Sequence, residues 1–156
     1  MTDRILLIIW TLAAVGLAEL KPNRNLTIPA NTIELQYSHN QKYLIAASET
    51  QASLFWGVNG SKIGDLDLQG RNDVSAVRIS RTNLLMAVGF KDGLIKVYKA
   101  GQELTPDSSI QASTGSQVTS LCFTKDDEHL VIGLEHDLIA VYSFEDDQLF
   151  GTDFRN

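Results

Sequence analysis

Cysteine occurs once in this chain, at Cys122, which excludes an internal disulfide framework and any cysteine-rich zinc site. The lone thiol sits between Leu121 and Phe123 in an expected strand, where a free thiol behaves as a small buried hydrophobe. Histidine is almost as scarce. His39, His129 and His136 stand apart, with no H-x-x-x-H or H-x-H spacing, so no metal site is predicted. Basic residues are few and scattered. Lys and Arg number 13 against 19 Asp and Glu, for a formal net charge of -6. Nucleic acid is therefore not expected as a partner, because that affinity comes from Lys and Arg neutralising phosphates. There is no glycine-rich phosphate loop and no G-x-S-x-G elbow, so neither a cofactor nor a catalytic residue is predicted. No apolar run reaches the roughly 20 residues that span a bilayer as a helix.

What the chain does have is a repeat. Val74–Tyr98, VSAVRISRTNLLMAVGFKDGLIKVY, returns as Val118–Tyr142, VTSLCFTKDDEHLVIGLEHDLIAVY. A weaker copy, TIELQYSHNQKYLIAASETQASLFW, precedes it at Thr32–Trp56. Val74, Gly89, Leu94, Ile95, Val97 and Tyr98 recur unchanged as Val118, Gly133, Leu138, Ile139, Val141 and Tyr142. Each copy begins with an alternating strand that ends on a hydroxyl residue (Ser38, Ser80 or Thr124). A polar turn, an apolar run, a second tight turn and a third strand follow. Asp92-Gly93 between two apolar runs is a strong hairpin signal, because both residues tolerate positive φ. Three short strands per unit, repeating with a period in the low forties, predict an all-β fold of propeller blades or a related array. A β-sandwich is the competing architecture, since it too carries short, regularly spaced strands.

The motif content resembles the WD40 family. The matching residues are Val77-Arg78-Ile79-Ser80, Met86-Ala87-Val88-Gly89, Asp92-Gly93 and Val97-Tyr98, and the likeness covers about Leu26 to Gly151. The departures are the missing Trp-Asp dipeptides, replaced by Phe55-Trp56, Val97-Tyr98 and Val141-Tyr142, and the missing Gly-His dipeptides. Trp56, Tyr98 and Tyr142 are expected as matched blade-end core positions. Without that family's hydrogen-bonded network, the blades are expected to hold together by packing alone. The resemblance implies a WD40-like partial β-propeller of about three four-stranded blades, at residues 32–69, 74–113 and 118–151, before a tail at 152–156. It also implies outer strands around Leu26–Ile28, Gly64–Leu68, Ser109–Gln111 and Gln148–Phe150.

Residues 1–31 read differently. Ile5–Ala18 is apolar apart from Thr11 and Gly16, follows Arg4, and ends in the small-residue run Gly16-Leu17-Ala18. This is the pattern of a secretory signal peptide over residues 1–18. A membrane anchor through residues 5–18 with a cytosolic body is the alternative, since Lys21 and Arg24 follow the segment. If retained in the folded protein, the segment is expected to be helical. Residues 19–31 read as a linker and first outer strand. The sequons at Asn25 and Asn59 are N-glycosylation acceptors in a secreted chain.

The expected function is that of a non-catalytic protein-interaction scaffold. Partner-facing loops are expected at Ser38, His39 and Asn40, at Arg81, Thr82 and Asn83, and at Lys125, Asp126, Asp127 and Glu128. Closed propellers have about four to eight blades, so three would be completed by a second copy, a protein partner or further sequence. Two alternatives stand beside it. One is a secreted hydrolase or lyase with histidines and carboxylates converging in a pocket. The other is an extracellular adhesion or carbohydrate-binding β-domain.

Overall fold

β-Branched and aromatic residues fill the apolar runs, and turn-forming residues separate them at short intervals, so the chain folds as a succession of hairpins. The computed structural model describes residues 6–10, 22–99 and 104–153. Its strands are β1 (Leu6–Trp10), β2 (Pro22–Thr27), β3 (Glu34–Tyr37), β4 (Tyr43–Ala47), β5 (Ala52–Trp56), β6 (Lys62–Asp65) and β7 (Val74–Ile79). They continue with β8 (Leu85–Phe90), β9 (Leu94–Lys99), β10 (Ser108–Gln111), β11 (Val118–Phe123), β12 (His129–Leu134), β13 (Leu138–Ser143) and β14 (Gln148–Asp153). No helix occurs among the described residues.

The strands form three antiparallel four-stranded meanders, β3-β4-β5-β6, β7-β8-β9-β10 and β11-β12-β13-β14, and a two-stranded β1-β2 sheet. Within each meander the first-to-second and third-to-fourth turns lie at one end. The second-to-third turn lies at the other.

The sheets follow one another in a repeated relation. β7 packs on β3 and β4, and β11 packs on β7 and β8. One core joins Tyr43, Ile45, Ala47, Ala52 and Leu54 of the first sheet to Val74, Val77, Met86, Val88 and Phe90 of the second. The next joins Ala76, Ala87, Ile95 and Val97 to Val118, Leu121, Leu130 and Ile132 of the third. The segment entering each sheet is also equivalent. Leu66 and Leu68 pack with Met86, Val88 and Tyr98. Ile110 and Ala112 pack with Leu130, Ile132 and Tyr142, and Leu26 and Ile28 pack with Leu44, Ala46 and Phe55.

Several sequence expectations are corrected. Leu6–Trp10 is a strand paired with Pro22–Thr27 and not part of a helix; its run of Leu, Ile and Trp suits a sheet. Residues 1–5 and 11–21, with the expected cleavage site, lie outside the described residues. Trp56 does not match Tyr98. Leu44 pairs with Phe55 as Met86 pairs with Tyr98, because the β4–β5 turn is one residue shorter. Phe55 is accordingly buried, whereas Trp56 is 39% exposed and stacks on Tyr43 with ring centroids 5.5 Å apart.

Packing is also not the only inter-sheet bond. The first strand of a sheet has a free inner edge, whose buried backbone groups need partners. The Val77 N–H donates to Glu34 Oε2 (2.9 Å), and the Ile79 N–H donates to Gln36 Oε1 (2.9 Å). One sheet further on, Arg78 Nε donates to the Leu121 carbonyl (2.7 Å). Buried Lys96 donates to the Leu68 carbonyl (2.7 Å), and the Tyr98 hydroxyl donates to the Asp67 carbonyl (3.0 Å).

Candidate interaction surface

The three first hairpin turns share one design. Ser38 Oγ accepts the Tyr43 N–H at 2.8 Å, Ser80 Oγ accepts that of Leu85 at 3.0 Å, and Thr124 Oγ1 accepts that of His129 at 3.0 Å. The residue three positions after each hydroxyl takes positive φ: Gln41 (59°), Asn83 (65°) and Asp127 (63°). Left-handed geometry at that position closes the turn, and Asn and Asp adopt it more readily than most residues. These assignments sort the expected loop residues. Ser38 is buried and serves the turn, and Asn83 and Asp127 are half-buried. His39, Asn40, Arg81, Thr82, Lys125, Asp126 and Glu128 are exposed. Thr82 Oγ1 donates to Asp127 Oδ2 and ties the second turn to the third.

Beside these turns the three inner strands border an open cavity of about 340 Å³. Gln36, Tyr37 and His39 line it from the first sheet, Arg78 and Arg81 from the second, and Cys122 from the third. Of the expected loop residues, the structure brings His39 and Arg81 together here; the others do not line the cavity. Burial raises the Tyr37 hydroxyl above its ordinary pKa. Cys122 is exposed, against the expectation of a buried thiol. β11 turns Leu121 and Phe123 inward, and the alternation of a strand then sends Cys122 to the opposite face. Gln36, Arg78 and Cys122 each stand two residues before the turn hydroxyl. That recurring position, amphiphilic in one unit and polar in the others, was a signal available in the sequence.

The remaining titratable groups fall into separate turns and small clusters away from this cavity. Asp92 lies in the β8–β9 turn, where its Oδ1 accepts the Leu94 N–H (3.1 Å) and its Oδ2 meets Arg71 Nη2 at 2.8 Å. Burial alone would raise its pKa, but Arg71 and that N–H outweigh the effect and hold it below the usual carboxylate value. Arg71 also grips Asp73 at 2.5 Å and lies 4.4 Å from the Phe90 ring centre. His136 is in the β12–β13 turn with φ of 65°. Asp126, Glu128 and His129 bring ligand atoms within 4.8 Å of one another. Asp126 Oδ1, however, already accepts from Thr124 Oγ1 (2.6 Å) and the Glu128 N–H (3.1 Å), the bonding of a self-contained Asx turn. Of the two sequons, Asn59 is exposed in the β5–β6 turn, its Oδ1 accepting the Ser61 hydroxyl at 2.7 Å. Asn25 lies within β2.

The last sheet carries a second notable surface. Val131 pairs with Val141 as Ala87 pairs with Val97 and Ile45 with Leu54. Ile45, Leu54, Ala87 and Val97 are buried by the sheet that follows. Val131 and Val141 are only half-buried. Ile139, the counterpart of buried Ile95, is 39% exposed.

Comparison of the sequence with models of known protein families and with curated proteins returns no match.

Proposed function

We propose that the chain is a divergent WD40-like partial propeller, each four-stranded sheet a blade, that works as a non-catalytic protein-interaction scaffold. The observation that carries this reading is the repeated inter-sheet relation, ending on a Val131–Val141 face half-exposed where its two counterparts are buried. A sandwich does not require one packing relation between successive sheets; a propeller does. The face that holds a following blade at Ala87–Val97 is apolar again at Val131–Val141. On this reading it takes a further sheet of the same kind from another chain, a second copy included. The hydrolase alternative needs converging histidines and carboxylates. Asp92 and His136 instead occupy second-to-third turns, at the end of their sheets opposite His39 and His129.

The native mass of the protein purified from its own cells tests the scaffold reading. A mass above one chain, lowered by Val141→Asp without loss of the β-sheet circular dichroism, is the expected result. One chain alone at every concentration would overturn it.

The β1–β2 pairing supports a retained N-terminus, with Leu6–Trp10 and Pro22–Thr27 as the third and fourth strands of a preceding blade. Among the described residues no helix is long and apolar enough to cross a membrane. The intact mass of the same preparation should include residues 1–18. A mass lacking them, with a glycan at Asn59, would favour the secretory pathway instead.

A further inference from the structure

We infer that the cavity between the inner strands is an anion site, and that the group it takes is a single carboxylate or phosphomonoester carried on a side chain of the bound partner. This rests on the interaction-scaffold reading and names the chemistry of its contact. Four cations among the described residues are matched to carboxylates. Lys62 pairs with Asp65, Lys91 with Glu49, and Lys99 with Asp107, while Arg71 holds both Asp73 and Asp92. Of the described cations outside these pairs, Lys42, Lys96 and Lys125 lie away from the cavity, whereas Arg78 and Arg81 come together. Both line one cavity, and no carboxylate lines it with them.

Arg78 is half-buried and held in place by its Nε bond to the Leu121 carbonyl (2.7 Å). That bond uses one of five donors, and the terminal nitrogens keep the forked geometry that matches two oxygens of a carboxylate or phosphate. A guanidinium positioned beforehand loses little freedom on binding. Arg81 stands three residues on, across the turn closed by Ser80, and is exposed. Gln36 is committed to the Ile79 N–H through its Oε1, which leaves its amide nitrogen as a further donor type at the cavity wall. His39 supplies an imidazole from the first sheet's turn, on the same side as Gln36. At about 340 Å³ the space has room for one side-chain head group. In a chain of net charge -6, two arginines lining one cavity with no carboxylate beside them favour an anion there.

Inorganic phosphate, N-acetyl-glutamate amide and N-acetyl-phosphoserine amide are titrated separately into the intact protein, with ¹⁵N NMR following the Arg78 and Arg81 side chains and the Cys122 amide. Saturable shifts at these groups are expected for phosphate and at least one amide, weakening as salt is raised. Arg81→Gln, at an exposed position, should weaken binding about tenfold, the loss expected for one charge-assisted contact. Stronger binding of the phosphoserine probe assigns the group as a phosphomonoester, and stronger binding of the glutamate probe as a carboxylate. No saturable shift to 20-fold beyond the millimolar range (~20 mM), or shifts that Arg81→Gln leaves unchanged, would overturn the site. The mass measurement with Val141→Asp addresses a different surface, so the scaffold reading and the anion site can fail separately.

Discussion

Removing the carboxylate of Glu34 should cost far more stability than its position near the molecular surface would suggest. Glu34 is half-buried on β3, yet its Oε2 is the acceptor for the N–H of Val77, a residue 1% exposed on the free edge of β7. Glu34→Ala leaves that donor unpaired beside the first sheet, where water has poor access. Leaving a buried polar group unsatisfied costs about 1–3 kcal/mol, and a bond to a charged acceptor sits toward the upper part of that range. Glu34→Gln keeps an acceptor oxygen at the same reach and should lose only the charge-assisted part, about 1 kcal/mol. With a urea m-value of about 1–3 kcal/mol/M, Glu34→Ala should lower the unfolding midpoint by roughly 1 M and Glu34→Gln by less than half of that. Adding Gln36→Ala, which strips the acceptor from the Ile79 N–H, should lower it further. The two effects will not simply add, because the side chains are neighbours on one strand. Urea titrations followed by tryptophan fluorescence, with m held as a check, give all four midpoints. Equal midpoints for the Ala and Gln variants would refute the reasoning, since the contact would then contribute bulk and not an acceptor.

Phe55→Ala should destabilise the protein by about 3–5 kcal/mol as a fully packed aromatic, whereas Trp56→Ala should cost about 1 kcal/mol or less; thermal unfolding separates them, and the reverse order would restore Trp56 as the core position. Gly93 has φ of +85°, and an added Cβ would lie 2.3 Å from the Ser113 carbonyl oxygen. Gly93→Ala therefore combines the left-handed penalty of about 1–2 kcal/mol with a backbone clash. Gly70→Ala, at φ of +77° with nothing within 4 Å, should show the penalty alone in the same denaturation assay. Asp92, whose folded pKa is depressed by Arg71 and the Leu94 N–H against the opposing effect of burial, contributes stability above its unfolded pKa of about 3.9. That contribution is lost as pH falls from there through the folded value. Asp92→Asn should thus lower stability at pH 7 by under about 1 kcal/mol, because the side chain is 48% exposed. The difference should vanish in strong acid, as read from denaturation midpoints against pH.

The local rules of the fold were legible along the chain. Alternation in Val74–Ile79, the hydroxyls at Ser80 and Thr124 and the Asp92-Gly93 turn each act through neighbours a few residues away, so the sequence carries their full physical content. The misreading of Trp56 came from the same locality. Counting along the chain aligned the strand-ending aromatics, but the burial of Phe55 depends on a turn one residue shorter, which only cross-strand pairing with Leu44 reveals. Leu6–Trp10 was ambiguous for a related reason: a short apolar run reads alike as leader, helix or strand until its partner is known, and that partner is Pro22–Thr27.

The candidate site was less legible, because its residues come from three repeat units and meet through tertiary packing. His39 and Arg81 were singled out for polarity, while Gln36, Arg78 and Cys122 passed as the outward positions of alternating strands. By itself the sequence determined that the chain would be all-β, where its hairpins turn, and that its units repeat, since strand periodicity and turn chemistry are short-range properties. Only the tertiary structure decided which aromatic enters the core, which side chains cover the inner edge of β7, and that two arginines share a cavity without a carboxylate. The first depends on a cross-strand register and the other two on groups about one repeat apart in sequence, and the order of residues along a chain encodes neither the register nor a distance between sheets.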